Sequence, residues 1–162
     1  MISIIEIVLR NKFHRALSAR YGAVGGQESK DWYLYVKLNQ HSKSKVNEII
    51  HTLRKKKRRS ALSRASPDDV VSRLSFGFWP YLLDLQIDIH NQPINLASII
   101  LDAFPGHRQR QENYWKKTKY QDQLFARLDM CNQLRNRIAH HEPIWKLRSL
   151  KQENRLRPGI RL

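Results

Sequence analysis

Apolar residues recur at spacings of three and four along most of this 162-residue chain, and that period commits it to amphipathic helices. From Ile2 to Ser18 the stripe is Ile5, Leu9, Phe13, Ala16 and Leu17; it stops near Tyr21-Gly22, and Gly25-Gly26 follows as a loop. Residues 42–63 repeat the pattern with Val46, Ile49, Ile50 and Leu53, then run into Arg54-Lys55-Lys56-Lys57-Arg58-Arg59. Ser66-Pro67-Asp68-Asp69 is a helix start: a hydroxyl to cap, a proline suited to the first helical position, and acids that complement the dipole. It predicts a helix through Val70, Val71, Leu74 and Phe78, with a kink at Pro80. A turn is expected at Asn91-Gln92-Pro93, and a short apolar helix over 94–104 that Pro105-Gly106 ends. A long helical region follows from about His107 to His141, broken near Thr118 and closed by Pro143. Only Trp32-Tyr33-Leu34-Tyr35-Val36 has the composition of a strand. One strand has nothing to pair with, so an aromatic-rich loop or a short helical turn is expected there. The expectation is an all-α domain over residues 1–145 with a long final helix, then a loose basic tail over 146–162.

Charge narrows the partner. Thirty Lys plus Arg stand against fourteen Asp plus Glu, a formal charge of +16. An excess that large repels itself in the folded state and points to a polyanion. Nucleic acid is the commonest, and an anionic membrane surface is the other. The apolar stretch Ile2 to Leu9 is interrupted by Ser3 and Glu6 and falls far short of the ~20 residues that span a bilayer. It also lacks a basic leader and a small-residue cleavage site, which argues against a secretory signal. The single cysteine, Cys131, has no partner for an internal disulfide and sits among Leu128, Leu134 and Ile138 as a small hydrophobe. A cytoplasmic protein with no membrane partner is expected.

One segment breaks a local rule. On a helix, Leu124, Leu128, Cys131, Leu134 and Ile138 form one stripe, and Arg135 lies only about 40° from its centre. Asn136 and His140 share its edge one turn apart. A guanidinium beside a buried stripe is costly unless it meets a partner or a wet cleft. Two readings stand: Arg135 reaches the rim or pairs with a carboxylate such as Glu6, or Arg135, Asn136 and His140 line a cleft. His141 lies about 100° round the helix and reads as solvent-facing or as a cap. A zinc site from Cys131, His140, His141 and Glu142 is disfavoured because those side chains diverge. Glu6 and Arg10 are spaced to pair along their own helix or to support the site. The run Arg54 to Arg59 is either a solvated face or a contact for a nucleic-acid backbone.

The run Leu134-Arg135-Asn136-Arg137-Ile138-Ala139-His140-His141-Glu142-Pro143-Ile144-Trp145 resembles the signature of Abi-like (abortive infection) proteins of the HEPN superfamily. Ribonucleases of that superfamily carry Arg, a polar residue, three or more spacers, then His. Upstream, Leu74-Ser75-Phe76-Gly77-Phe78-Trp79 and Ile5-Glu6-Ile7-Val8-Leu9-Arg10 are similar to the family's Ser-Phe-Gly element and Glu-x-x-x-Arg helix, in the same order. The family usually has a substantial region ahead of that helix, where this sequence has Met1 to Ile5; a compact version or a truncated remnant is implied. The resemblance implies a HEPN-like helical bundle that dimerises, with Arg and His of both subunits around one cleft. It also implies metal-independent RNA cleavage in phage defence, with no cofactor, and with an antitoxin or a phage trigger as a partner.

The residues suit that chemistry. RNA carries its own nucleophile, the 2′-hydroxyl. His140 is suited to move protons near neutral pH, Arg135 offers a planar fork for phosphate oxygens, and Asn136 is placed to orient either. The rival expectation is a non-catalytic RNA-binding or regulatory remnant of an Abi-like protein. A DNA-binding regulator is the weaker third, because no helix-turn-helix is evident.

Overall fold

A computed structural model describes residues 2–22, 30–57 and 66–142. The fold is all-α, and no strand occurs among the described residues. Helix α1 (Ile2–Tyr21) is followed by α2 (Gln40–Lys57), α3 (Pro67–Ser72), α4 (Leu96–Ala103), the single turn α5 (Glu112–Trp115) and the long α6 (Thr118–Ala139). Tail residues 146–162 lie outside the described residues.

The core is built between α1 and α4. Leu9, Phe13, Ala16 and Leu17 on α1 are buried, as are Ile99, Ile100 and Ala103 on α4, and Phe13 meets Phe104 edge-on at 5.7 Å between ring centroids. Aromatic rings extend the core sideways: Phe78 lies 6.4 Å from Trp32 and 5.2 Å from Trp79, tilted on the first and edge-on to the second. Tyr81 docks α6 through Phe125, with centroids 5.6 Å apart. The Trp32 segment forms a 3-10 turn, Trp32–Leu34, the short helical turn expected there, followed by one isolated bridge from Val36 to Asp88.

Two expectations change. The helix launched at Ser66 has the expected start, a capping box in which the Ser66 hydroxyl accepts from the Asp69 N–H and the Asp69 carboxylate accepts from the Ser66 N–H. It ends at Ser72 instead of continuing through Phe78. The chain then forms 3-10 turns at Phe76–Phe78 and Pro80–Asp84. Pro80 removes the N–H that would bond the Phe76 carbonyl, and Gly77 weakens a helix at its centre. Phe76, Phe78, Trp79, Leu82 and Leu83 are all buried, more directions than one helical face supplies.

The last helical region starts later than expected. Residues 107–111 are not helical, and α6 begins at Thr118, the expected break. Between them the segment is fixed by side chains: Trp115 Nε1–H donates to the Gln109 carbonyl at 3.0 Å, and Gln109 N–H donates to His107 Nδ1 at 3.0 Å. The loop is polar apart from Tyr114 and Trp115, so no apolar stripe favours a helix there.

A half-buried histidine, His14, links three elements. The Trp32 indole, which only donates, gives its N–H to His14 Nδ1 at 2.9 Å. The ring proton therefore sits on Nε2 and faces Asp68 Oδ1 at 3.1 Å, while Ser18 Oγ lies 3.4 Å from Nδ1. Burial lowers the His14 pKa below 6.5, outweighing the opposing effect of Asp68, and Lys30 lowers it further. With the folded pKa below the unfolded one, His14 contributes stability that is present above about pH 6.5 and lost as pH falls through the folded value. Thermal melts of the parent and of His14→Gln between neutral and mildly acid pH should therefore converge as pH falls. A gap in melting temperature that stays constant with pH would contradict this.

Candidate active site at the end of the last helix

Helix α6 leaves the core as it runs. Asp122, Phe125 and Leu128 are buried, Leu124, Cys131 and Leu134 are half-buried, and Ile138 is exposed. The stripe expected through Leu124, Leu128, Cys131, Leu134 and Ile138 thus faces the core over its first part only. Cys131 packs against the core as a half-buried hydrophobe. Arg135, 40% exposed, stands where the helix emerges.

Its guanidinium meets Glu6: Arg135 Nε lies 3.5 Å from Glu6 Oε2, a carboxylate only 17% exposed. Arg135 Nη1 also donates to Asn136 Oδ1 at 3.3 Å. The carboxylate-pair reading of Arg135 is therefore the geometry found. Glu6 does not pair with Arg10 along α1, because it faces a half-buried cation that would otherwise lack a counter-charge. Arg10 Nη1 instead donates to the Ser72 carbonyl at 2.9 Å, satisfying the last residue of α3, whose negative dipole end favours a cation.

His140 is the C-cap of α6, its N–H donating to the Asn136 carbonyl at 3.0 Å, and its side chain is exposed. Beyond it the chain reverses through His141, whose φ is 55°, a left-handed conformation usually given to glycine. His141 N–H donates to Ile138 O at 3.2 Å and Glu142 N–H to Arg137 O at 2.8 Å, the paired bonds of a Schellman cap. The Glu142 side chain also pairs with Arg137, Oε2 to Nε 3.5 Å. His141 thus supplies the left-handed residue of that cap and is also exposed, so both of its expected roles are met. Residues 143–145 of the motif run lie outside the described residues.

Three segments far apart in sequence meet here. Glu6 and Arg10 come from α1, Ser72 to Phe78 from the end of α3 and the turn after it, and Asn132 to His140 from α6. Gly77 closes the contact: a side-chain carbon there would lie 3.4 Å from Asn132 Nδ2, at the edge of ordinary van der Waals distance. Ser72 and Asn132 carry no sequence signal of their own, since the first acts through a backbone carbonyl and the second only by lying under Gly77.

Arg54 and Lys55 are exposed near the end of α2, which ends at Lys57; Arg58 and Arg59 lie outside the described residues, and the side chains of Lys56 and Lys57 are not described. Among the described residues no three of His, Cys, Asp and Glu gather as a set of metal ligands, and no helix is long and apolar enough to cross a membrane. Comparison with protein-family models, with curated proteins and with solved structures finds no match for the chain.

Proposed function

We propose that the protein is a metal-independent endoribonuclease of the abortive-infection or toxin type, an Abi-like member of the HEPN superfamily acting in phage defence. The observation that carries this reading is the convergence of the three motif segments. The Glu6–Arg10 helix, the Ser75-Phe76-Gly77 turn and the Arg135–His140 helix end are separated by some sixty residues each, yet Glu6 touches Arg135 and Gly77 lies against Asn132. In this reading His140 moves protons between the 2′-hydroxyl, the leaving 5′-oxygen and water. Arg135 stabilises the charge that builds on the phosphate. Glu6 lies beside Nε of the fork and Asn136 accepts from Nη1, so a phosphate would meet the donors that remain.

The same region suits a homodimer. Ile4, Ile5, Ile7 and Val8 on α1 are exposed beside Glu6, and Ile138, one turn from Arg135, is 44% exposed. An exposed apolar patch beside a half-buried ion pair suits the core of a subunit interface with the pair at its edge. The protein should sediment as a dimer at micromolar concentration, and Ile7→Glu combined with Val8→Glu should give a folded monomer. A parent that remains strictly monomeric would remove the two-subunit cleft.

A second reading, a non-catalytic RNA-binding or regulatory protein, is favoured by one feature: Glu6 already compensates Arg135. Incubation with total RNA in EDTA separates the two. Cleavage by the parent, with most of it lost in Arg135→Lys because a point charge does not reproduce the planar fork, supports the ribonuclease. Tight binding with no cutting supports the regulatory protein. An antitoxin or a phage-derived trigger is the further partner that the first reading entails, and the cytoplasm is its compartment.

A further inference from the structure

The connector between α4 and α6, together with the first turn of α6, carries five cations, Arg108, Arg110, Lys116, Lys117 and Lys119, against one acid, Glu112. All five are exposed. Over 107–110 exposure alternates: His107 and Gln109 are half-buried, and Arg108 and Arg110 are exposed. The segment is stiffened from beneath by the Trp115–Gln109–His107 contacts and by a stacked pair, Tyr114 on Tyr120, with centroids 3.7 Å apart. Glu112 is committed: it accepts from Asn95 Nδ2 at 2.8 Å and pairs with Lys116 at 3.1 Å, and these contacts hold its carboxyl below the usual range.

One of these cations, Lys116, lines a cleft of about 360 Å³. Leu85, Ile94 and Leu96 supply apolar walls, and Asp84, Thr118 and Gln121 supply a polar edge to which the connector adds Lys116. That volume falls in the range of small-molecule sites and exceeds what one nucleobase needs.

We propose that this connector and cleft bind single-stranded RNA, with phosphates on Arg108, Arg110, Lys117 and Lys119 and one unstacked base in the cleft. The inference rests on the RNA reading above and names where the strand is held away from Arg135. Single-stranded RNA fits better than duplex, because a base enters a cleft only when it is free of its partner. A membrane surface fits worse: no large apolar side chain between residues 107 and 120 is exposed to enter a bilayer.

The test measures binding of a short fluorescent oligouridylate by the full chain carrying His140→Ala, so that cleavage does not interfere. Replacing Arg108, Arg110, Lys117 and Lys119 with Gln should weaken binding roughly tenfold or more. It should also make the plot of log affinity against log salt shallower, by about 0.7 for each phosphate that is no longer neutralised. These side chains are exposed, and an unchanged melting temperature shows that the fold is kept. Thr118→Trp, which fills the cleft from its edge, should weaken RNA binding roughly fivefold or more. It should leave the salt slope and the affinity for inorganic polyphosphate unchanged, because polyphosphate has no base. Parent-like affinity and slope in the four-site variant would overturn the proposal. So would equal losses for polyphosphate and RNA in Thr118→Trp, or a four-site variant that loses only phosphatidylserine vesicles. The ribonuclease reading fails separately: a parent that cuts no RNA while the oligouridylate responds as expected removes that activity and leaves this surface standing.

Discussion

His140→Ala is expected to lower RNA cleavage by roughly 10²- to 10⁴-fold while RNA affinity stays within a few-fold. The first number is what a positioned general acid–base contributes. The second follows from where His140 sits. As the exposed C-cap residue of α6 it supports no core contact, and the bonds that end the helix are made by the backbone of residues 137–142, which alanine keeps. The loss should therefore fall on kcat, with no change in melting temperature. An affinity loss as large as the rate loss would make His140 a binding residue. An unchanged rate would take it out of the chemistry altogether.

The second large effect is on binding. A chain with a formal charge of +16 should lose RNA affinity on the order of 10³-fold between ~50 and ~200 mM salt if six or more phosphates are contacted. Replacing Lys55, Lys56, Lys57 and Arg58 with Gln should flatten the slope if the end of α2 touches the strand. If only the connector touches it, that variant leaves the slope alone. Affinity nearly independent of salt would contradict an electrostatic account of the charge.

How far the sequence carried the fold depended on which forces decide each element. Where one apolar stripe decides, it sufficed: α1, the capping box at Ser66 and the short helix α4 lie where spacing and capping residues place them. It failed where packing or proline decides. Phe76 to Leu83 must bury side chains in several directions at once, so 3-10 turns replace the continued helix. Residues 107–111 contain no stripe and are shaped by the Trp115 and His107 side chains. At the site, the pattern identified Arg135 as misplaced and offered Glu6 as its partner, because a half-buried guanidinium needs a carboxylate. It suggested a pairing of Glu6 with Arg10 because spacing within one helix is visible in a sequence and the approach of α3 is not. The exposure of Ile4, Ile5, Ile7 and Val8 was also hidden, since a helical stripe shows which residues are apolar but not what covers them.

If Arg135 and His140 cut RNA by means of its own 2′-hydroxyl, one substrate tests it directly. A short RNA containing the mapped scission site is compared with the same RNA bearing a single 2′-deoxy sugar at that position, both in EDTA. The proposed mechanism predicts cleavage of the first to a 2′,3′-cyclic phosphate and resistance of the second at that position. Equal cleavage of both, or activity that disappears with the chelator, would contradict it.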